Sequence, residues 1–208
     1  MNTQLHTKGI HHITAVASSA AENLDFYRNV LGLRLVKKTV NFDDPYTYHL
    51  YYGDPNGTPG TILTFFPWEQ IPKGRPGAGM VTTVSFSIAQ GSLAYWAERL
   101  TEMRIDIAKE RRFDELLLRF TDPHGLSLEL IETDTSPLTV QAEPSPVPLQ
   151  HAIVGFHSAT AVLHPSSDPR DILVDGLGMS LQAREGKRYR YRLHGDSAVG
   201  TIYDVVLD

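Results

Sequence analysis

The residues best suited to chemistry lie near the N-terminus, in Gly9-Ile10-His11-His12-Ile13-Thr14. Two adjacent imidazoles in a β-forming run predict a strand in which His11 and His12 point to opposite faces. A regular strand therefore cannot offer both to one metal ion. A neutral imidazole suits Fe(II), Mn(II), Zn(II) or Ni(II). From the residues alone, however, the simpler reading is a strand histidine that satisfies a backbone carbonyl. Thr14 shares the face of His12 and either lines a cavity or bonds the backbone. His49 lies in the tyrosine-rich run 48–52 and reads as structural before it reads as a pocket group. His157 reads as the counterpart of His12 in a later repeat. His124 falls in a tight turn and is expected to be solvated. Arg188, Arg190 and Arg192 alternate along one strand, so they share a face that is solvated or salt-bridged.

The rest of the sequence limits the chemistry available. There are no cysteines among the 208 residues, so disulfides, thiolate metal sites and a cysteine nucleophile are excluded, and a reducing, cytoplasmic location fits. Formal net charge is −5 with no basic block, which argues against a nucleic-acid partner. No apolar run approaches the ~20 residues needed to span a bilayer. The first nine residues lack an apolar stretch, and no secretory signal is expected. The Gly-rich segment 74–79 lacks phosphate-loop spacing and reads as a linker.

Positioning falls to a repeated unit. Residues 9–16 are echoed by 155–162, Leu31-Gly32-Leu33 by Leu177-Gly178-Met179, Gly53-Asp54 by Gly195-Asp196, and Gly60-Thr61-Ile62 by Gly200-Thr201-Ile202. The order is kept, as a duplication requires. Each copy predicts a short strand and an amphipathic helix, with Leu24, Tyr27, Val30 and Leu31 on one face and Gly32 as its cap. Three strands follow, at 33–40, 47–52 and 61–66 in the first copy. A more diverged copy lies between, with strands at 81–88, 116–120 and 126–131 and a helix at 92–100 capped by Ser92. The fold class is α+β, with tandem βαβββ modules in curved mixed sheets. Modules at 9–67 and 79–132 make a first domain. A Pro-rich linker follows at 133–150, including Pro137, and 151–208 is the first half of a second domain.

The strings 9–14, 32–45, 48–54 and 57–67, with Gly74-Arg75-Pro76-Gly77, Gly91-Ser92-Leu93 and Gly155-Phe156-His157-Ser158, resemble the bacterial hydroquinone-type ring-cleaving dioxygenases. These are members of the vicinal oxygen chelate superfamily, which also holds glyoxalase I and bleomycin-resistance proteins. The resemblance covers nearly the whole chain and implies four modules, of which the fourth is absent here. It implies Fe(II), with Mn(II) as an alternative, held by two histidines and a carboxylate. His12 is then the metal ligand and His11 a catalytic support residue beside it, with the other ligands in the fourth module. The implied partners are a small aromatic substrate and dioxygen. With module four absent, a homodimer is expected to cover the exposed sheet of module one. Two other readings stand beside this one. A glyoxalase-type isomerase or lyase would pair His12 with Glu129, though Thr82 and Thr83 stand where a further ligand is wanted. A non-catalytic protein of the bleomycin-resistance kind would bind an aromatic ligand without metal.

Overall fold

The computed structural model describes residues 7–135, 144–195, 197 and 199–208. The linker stretch 136–143, with Pro137, and Asp196 of the repeat lie outside the described residues. The strands are β1 (His12–Ala17), β2 (Arg34–Val40), β3 (Tyr48–Gly53), β4 (Ile62–Pro67), β5 (Met80–Ala89), β6 (Ala108–Arg112), β7 (Glu115–Thr121), β8 (Ser127–Thr133), β9 (Ile153–Leu163), β10 (Ser180–Glu185), β11 (Arg188–Arg192) and β12 (Ile202–Leu207). The α-helices are α1 (Ala20–Asp25) and α2 (Leu93–Glu102), and in module three a π-helical turn at Asp171–Gly176 takes the helix position.

The same strand order occurs three times: β1-β4-β3-β2, β5-β8-β7-β6 and β9-β12-β11-β10. In each, first and last strands run parallel and the others antiparallel. This is the βαβββ unit the repeats predict. The sequence reading missed β6, whose run Ala-Lys-Glu-Arg-Arg is too charged to announce a strand. It pairs with β7 across a turn in which Phe113 and Asp114 both take positive φ.

The first predicted helix is shorter than its apolar pattern suggests. Ser19 caps α1 by accepting from the Glu22 N–H. From Phe26 to Val30 the backbone widens into a π-helical turn, closed by the Leu31 N–H bonding to the Phe26 carbonyl. Gly32, at φ +70°, ends the turn as expected. Ser92 sits at the N-terminus of α2, but its hydroxyl bonds His151, and Glu132 accepts from the Leu93 N–H instead.

Module one forms a four-stranded sheet by itself, while modules two and three join through β5 and β9 into eight continuous strands. The junction is antiparallel, with Thr83 opposite Thr160, Val84 opposite Ala159 and Ser85 opposite Ser158. One apolar cluster links modules one and two, including Tyr27, Leu50, Phe65, Trp96 and Leu130, and takes in Phe156 from β9. Module three has its own smaller cluster around Leu173, Tyr191 and Val205. No helix among the described residues is long and apolar enough to cross a membrane.

Candidate functional site

Register decides which side chains meet. In β1, Ile13, Ala15 and Ala17 turn toward the helix-side core, and His12, Thr14 and Val16 face away from it, exposed. Opposite them on β4 stand Ile62, Thr64 and Phe66. On β3, Tyr51 is opposite Thr64, and His49 falls beside Phe66, their rings 4.0 Å apart. The open face of module one thus carries a histidine at its edge, a row of hydroxyls and an aromatic row.

The groups on this face are joined by hydrogen bonds. Thr14 Oγ1 lies 2.9 Å from Thr64 Oγ1, and Thr64 Oγ1 lies 3.1 Å from His49 Nε2. His49 Nδ1 is 2.8 Å from the Tyr51 hydroxyl. Burial lowers the His49 pKa, and electrostatic repulsion from His12 and Lys37 lowers it further, which disfavours the protonated ring. His49 therefore takes part in the open face and also packs structurally against Phe66 and Tyr51.

His11 is not the opposite-face residue that strand alternation predicts. It precedes β1, and its Nδ1 lies 3.1 Å from Nδ1 of His12, with the rings nearly perpendicular. The departure from strand geometry has a backbone cause. The His11 carbonyl accepts from Gly60, and the Ile10 N–H donates to Gly200. This contact uses His12 Nδ1 and leaves Nε2 as the atom able to meet a ligand.

The equivalent face of the eight-stranded sheet is filled instead. The pairs His12–Ile62 and Thr14–Thr64 correspond to Thr83–Ser127 and Ser85–Glu129 in module two, and to Ser158–Ile202 and Thr160–Asp204 in module three. The counterpart of His12 in module three is therefore Ser158, and His157 matches His11, contrary to the sequence reading. His157 is buried, bonded to Ser158 and to Glu115. Where module one has Thr64, the other two modules carry carboxylates, and each is held by arginine. Arg112 grips both oxygens of Glu129 at 2.7 and 3.0 Å, and Ser85 donates to one of them. Arg190 reaches both oxygens of Asp204 and also Glu115, while Arg188 joins Asp204 to Thr160. Arg188 and Arg190 are thus salt-bridged rather than solvated, and only Arg192 is exposed. With both oxygens so engaged, Glu129 is not the free carboxylate that the glyoxalase-type pairing with His12 needs.

Burial alone would raise the pKa of Glu129 and Glu115. Arg112 with Ser85 outweighs it for Glu129, and His157 with Arg190 outweighs it for Glu115, and both groups are held below the usual glutamate range, Glu115 at about 2. A depressed folded-state pKa stabilises above the unfolded value of about 4.3 and is lost as pH falls through the folded value. Stability is therefore expected to drop between about pH 4.3 and 2, the window set by Glu115. Glu115→Gln should flatten that part of the profile, measured as urea midpoints at stepped pH.

The His124 imidazole is not solvated as its turn position suggests. Its Nδ1 lies 2.8 Å from the Ser18 hydroxyl, and its Nε2 is buried with no hydrogen-bond partner. Sequence reasoning also missed Tyr51, Thr64 and Arg112. The i+2 spacing of Tyr51 from His49 carried the signal for the first.

Among the described residues no three histidine, aspartate or glutamate side chains converge to hold a metal ion.

Comparison with known proteins places this geometry. The chain is 43% identical over 201 residues to the putative ring-cleaving dioxygenase MhqO of Bacillus subtilis, covering 97% of this chain and 64% of that protein. It is 37% identical over 208 residues to the chlorohydroquinone/hydroquinone 1,2-dioxygenase of Sphingobium indicum, covering 97% and 64%. A crystal structure of a putative dioxygenase from Bacillus subtilis superposes with a TM-score of 0.88 at 43% identity, covering 98% of this chain and 64% of the other. The chain thus spans just under two thirds of the length of these relatives. Residues 9–130 match the profile of the Glyoxalase/Bleomycin resistance protein/Dioxygenase superfamily, and the chain belongs to that superfamily.

Proposed function

We propose that this chain carries one side of the site of a metal-dependent ring-cleaving dioxygenase acting on hydroquinone-like or catechol-like aromatics. The observation that carries the reading is the contrast between the two sheet faces. Modules two and three fill the key row with arginine–carboxylate pairs, whereas module one leaves it neutral, open and edged by the free Nε2 of His12. Relatives named as ring-cleaving and hydroquinone dioxygenases agree with it.

His12 Nε2 is the metal ligand in this reading, and His11 fixes the orientation of that ring through the Nδ1–Nδ1 contact. Fe(II) is the favoured ion, with Mn(II) as the alternative, because imidazole and oxygen donors suit both. When bound, such an ion lets dioxygen and an electron-rich ring react at adjacent positions. The described residues do not complete its coordination. The remaining donors then come from a further module seated on the bare outer edge of β1, as β9 sits on β5. In a homodimer, a second copy would offer its own β1 to that edge. The same reading divides the chain into a domain of residues 9–132 and part of a second at 151–208.

Anaerobic titration of the chain with Fe(II) by calorimetry tests the ligand role. Binding is expected to be weak and to fall at least tenfold in His12→Ala. Equal binding by the variant rules out His12 as a ligand.

A further inference from the structure

We propose that the cleft between the end of β1 and the connector of residues 68–79 binds a small aromatic ring bearing an anionic substituent. The proposal rests on the reading above only for the ring's hydroxyl pattern; the anion preference comes from the cleft itself.

The cleft encloses about 460 Å³, within the roughly 300–1,000 Å³ typical of small-molecule sites. Its apolar surface comes from Val16, Ile71 and Met80, each about half exposed and none covered by the rest of the fold. Trp68 forms one wall, stacked on Phe66 at 5.4 Å with its indole N–H bonded to Asp44. A flat ring fits such a wall. Thr14 lines the same cleft, so a ligand there reaches the strand that carries His12.

The polar groups supply the selectivity. Aspartate and glutamate outnumber lysine and arginine in the whole chain, 24 to 19. Yet among the described residues the lining includes Lys73, Arg75 and His124 and no carboxylate. Neither Lys73 nor Arg75 has an ion-pair partner among the described residues. Lys73 is also placed: its Cε would lie 2.9 Å from a Cβ built on Gly125, so its end lies over the turn that carries His124. The buried Nε2 of His124 lacks a partner. Two cations without acceptors among the described residues, beside an apolar wall that keeps water from one side, favour a carboxylate over a neutral group.

The chain has two tryptophans, and the other, Trp96, is fully buried with its indole bonded to the His151 carbonyl. Two indole N–H signals in a nitrogen-15 correlation spectrum therefore report the cleft and an internal reference. The metal-free chain would be titrated with 2,5-dihydroxybenzoate and, separately, with the neutral methylhydroquinone. The expected result is a saturable shift of the Trp68 signal, with the carboxylate at least tenfold tighter and Trp96 still. Lys73→Met and Arg75→Met, both on the exposed connector, should each weaken the carboxylate several-fold, and the double variant should remove the preference. No saturable shift, equal binding of the neutral ring, or a preference that survives the double variant would overturn the proposal. No metal is present in this titration, so its failure and a failure of the iron reading are separate results.

Discussion

Arg112→Ala is expected to lower unfolding stability by about 3–5 kcal/mol, the cost of removing one partner from a buried ion pair. Arg112 is 8% exposed and Glu129 is 1% exposed, and the two share a bidentate contact. Without the guanidinium, Glu129 keeps the Ser85 hydroxyl as its hydrogen-bond partner and only the more distant charge of Arg188. It must then either stay charged in a poorly solvated site or take up a proton. Replacing both partners, as Arg112→Met with Glu129→Gln, should recover much of the loss because no buried charge is left behind. Urea unfolding of the wild type, the single and the double variants measures this directly. A loss below about 1 kcal/mol in the single variant would mark the pair as effectively solvated. The result also bears on function. A strong buried pair means that the second face is closed by its own side chains, which leaves ligand chemistry to the module-one face.

The modular plan was legible because glycine and hydrophobic spacing are local signals. Gly32, Gly60, Gly178 and Gly200 all adopt positive φ where the repeats place turns. Pairing between modules was not legible. Nothing local in β5 or β9 says that they pair with each other while β1 keeps a bare edge among the described residues, because such contacts span roughly 65–80 residues of sequence. His12 was found by resemblance. Its free Nε2 was not, because the strand starts one residue later than alternation assumes and brings His11 to its side. The buried charge network was missed for a related reason. Arg112 looks like an ordinary surface residue, and Glu129 like a free carboxylate, until β6 is recognised as a strand paired with β7 at the edge of the same sheet. The alignment of 9–16 with 155–162 itself sets His157 against His11 and Ser158 against His12, and the strand register agrees, so reading His157 as the counterpart of His12 is a slip of one residue.

Gly200→Ala is the substitution most able to disturb the His12 edge without touching a histidine. Gly200 has φ +70°, and a Cβ there would lie 3.2 Å from the Ile10 carbonyl oxygen and 3.3 Å from the Gly60 Cα. Both obstacles are backbone and cannot rotate away. The left-handed conformation alone costs an alanine about 1–2 kcal/mol, and relieving the contact adds to it. The same glycine ties the modules together. Its N–H donates to Phe156, its carbonyl accepts from Ile10, and facing Gly60 donates to His11 and accepts from Phe156. Pushing Gly200 outward therefore moves the segment from which His11 and His12 hang. Gly186→Ala is the matched control, since Gly186 has φ +58° and a Cβ there would meet nothing within 4 Å. Both variants should show the conformational cost in urea unfolding. Only Gly200→Ala should lose more than that and shift the imidazole resonances of His11 and His12. If the two variants prove equally stable and leave those resonances alike, the glycine junction does not position the candidate ligand, and the His11–His12 contact alone must hold it.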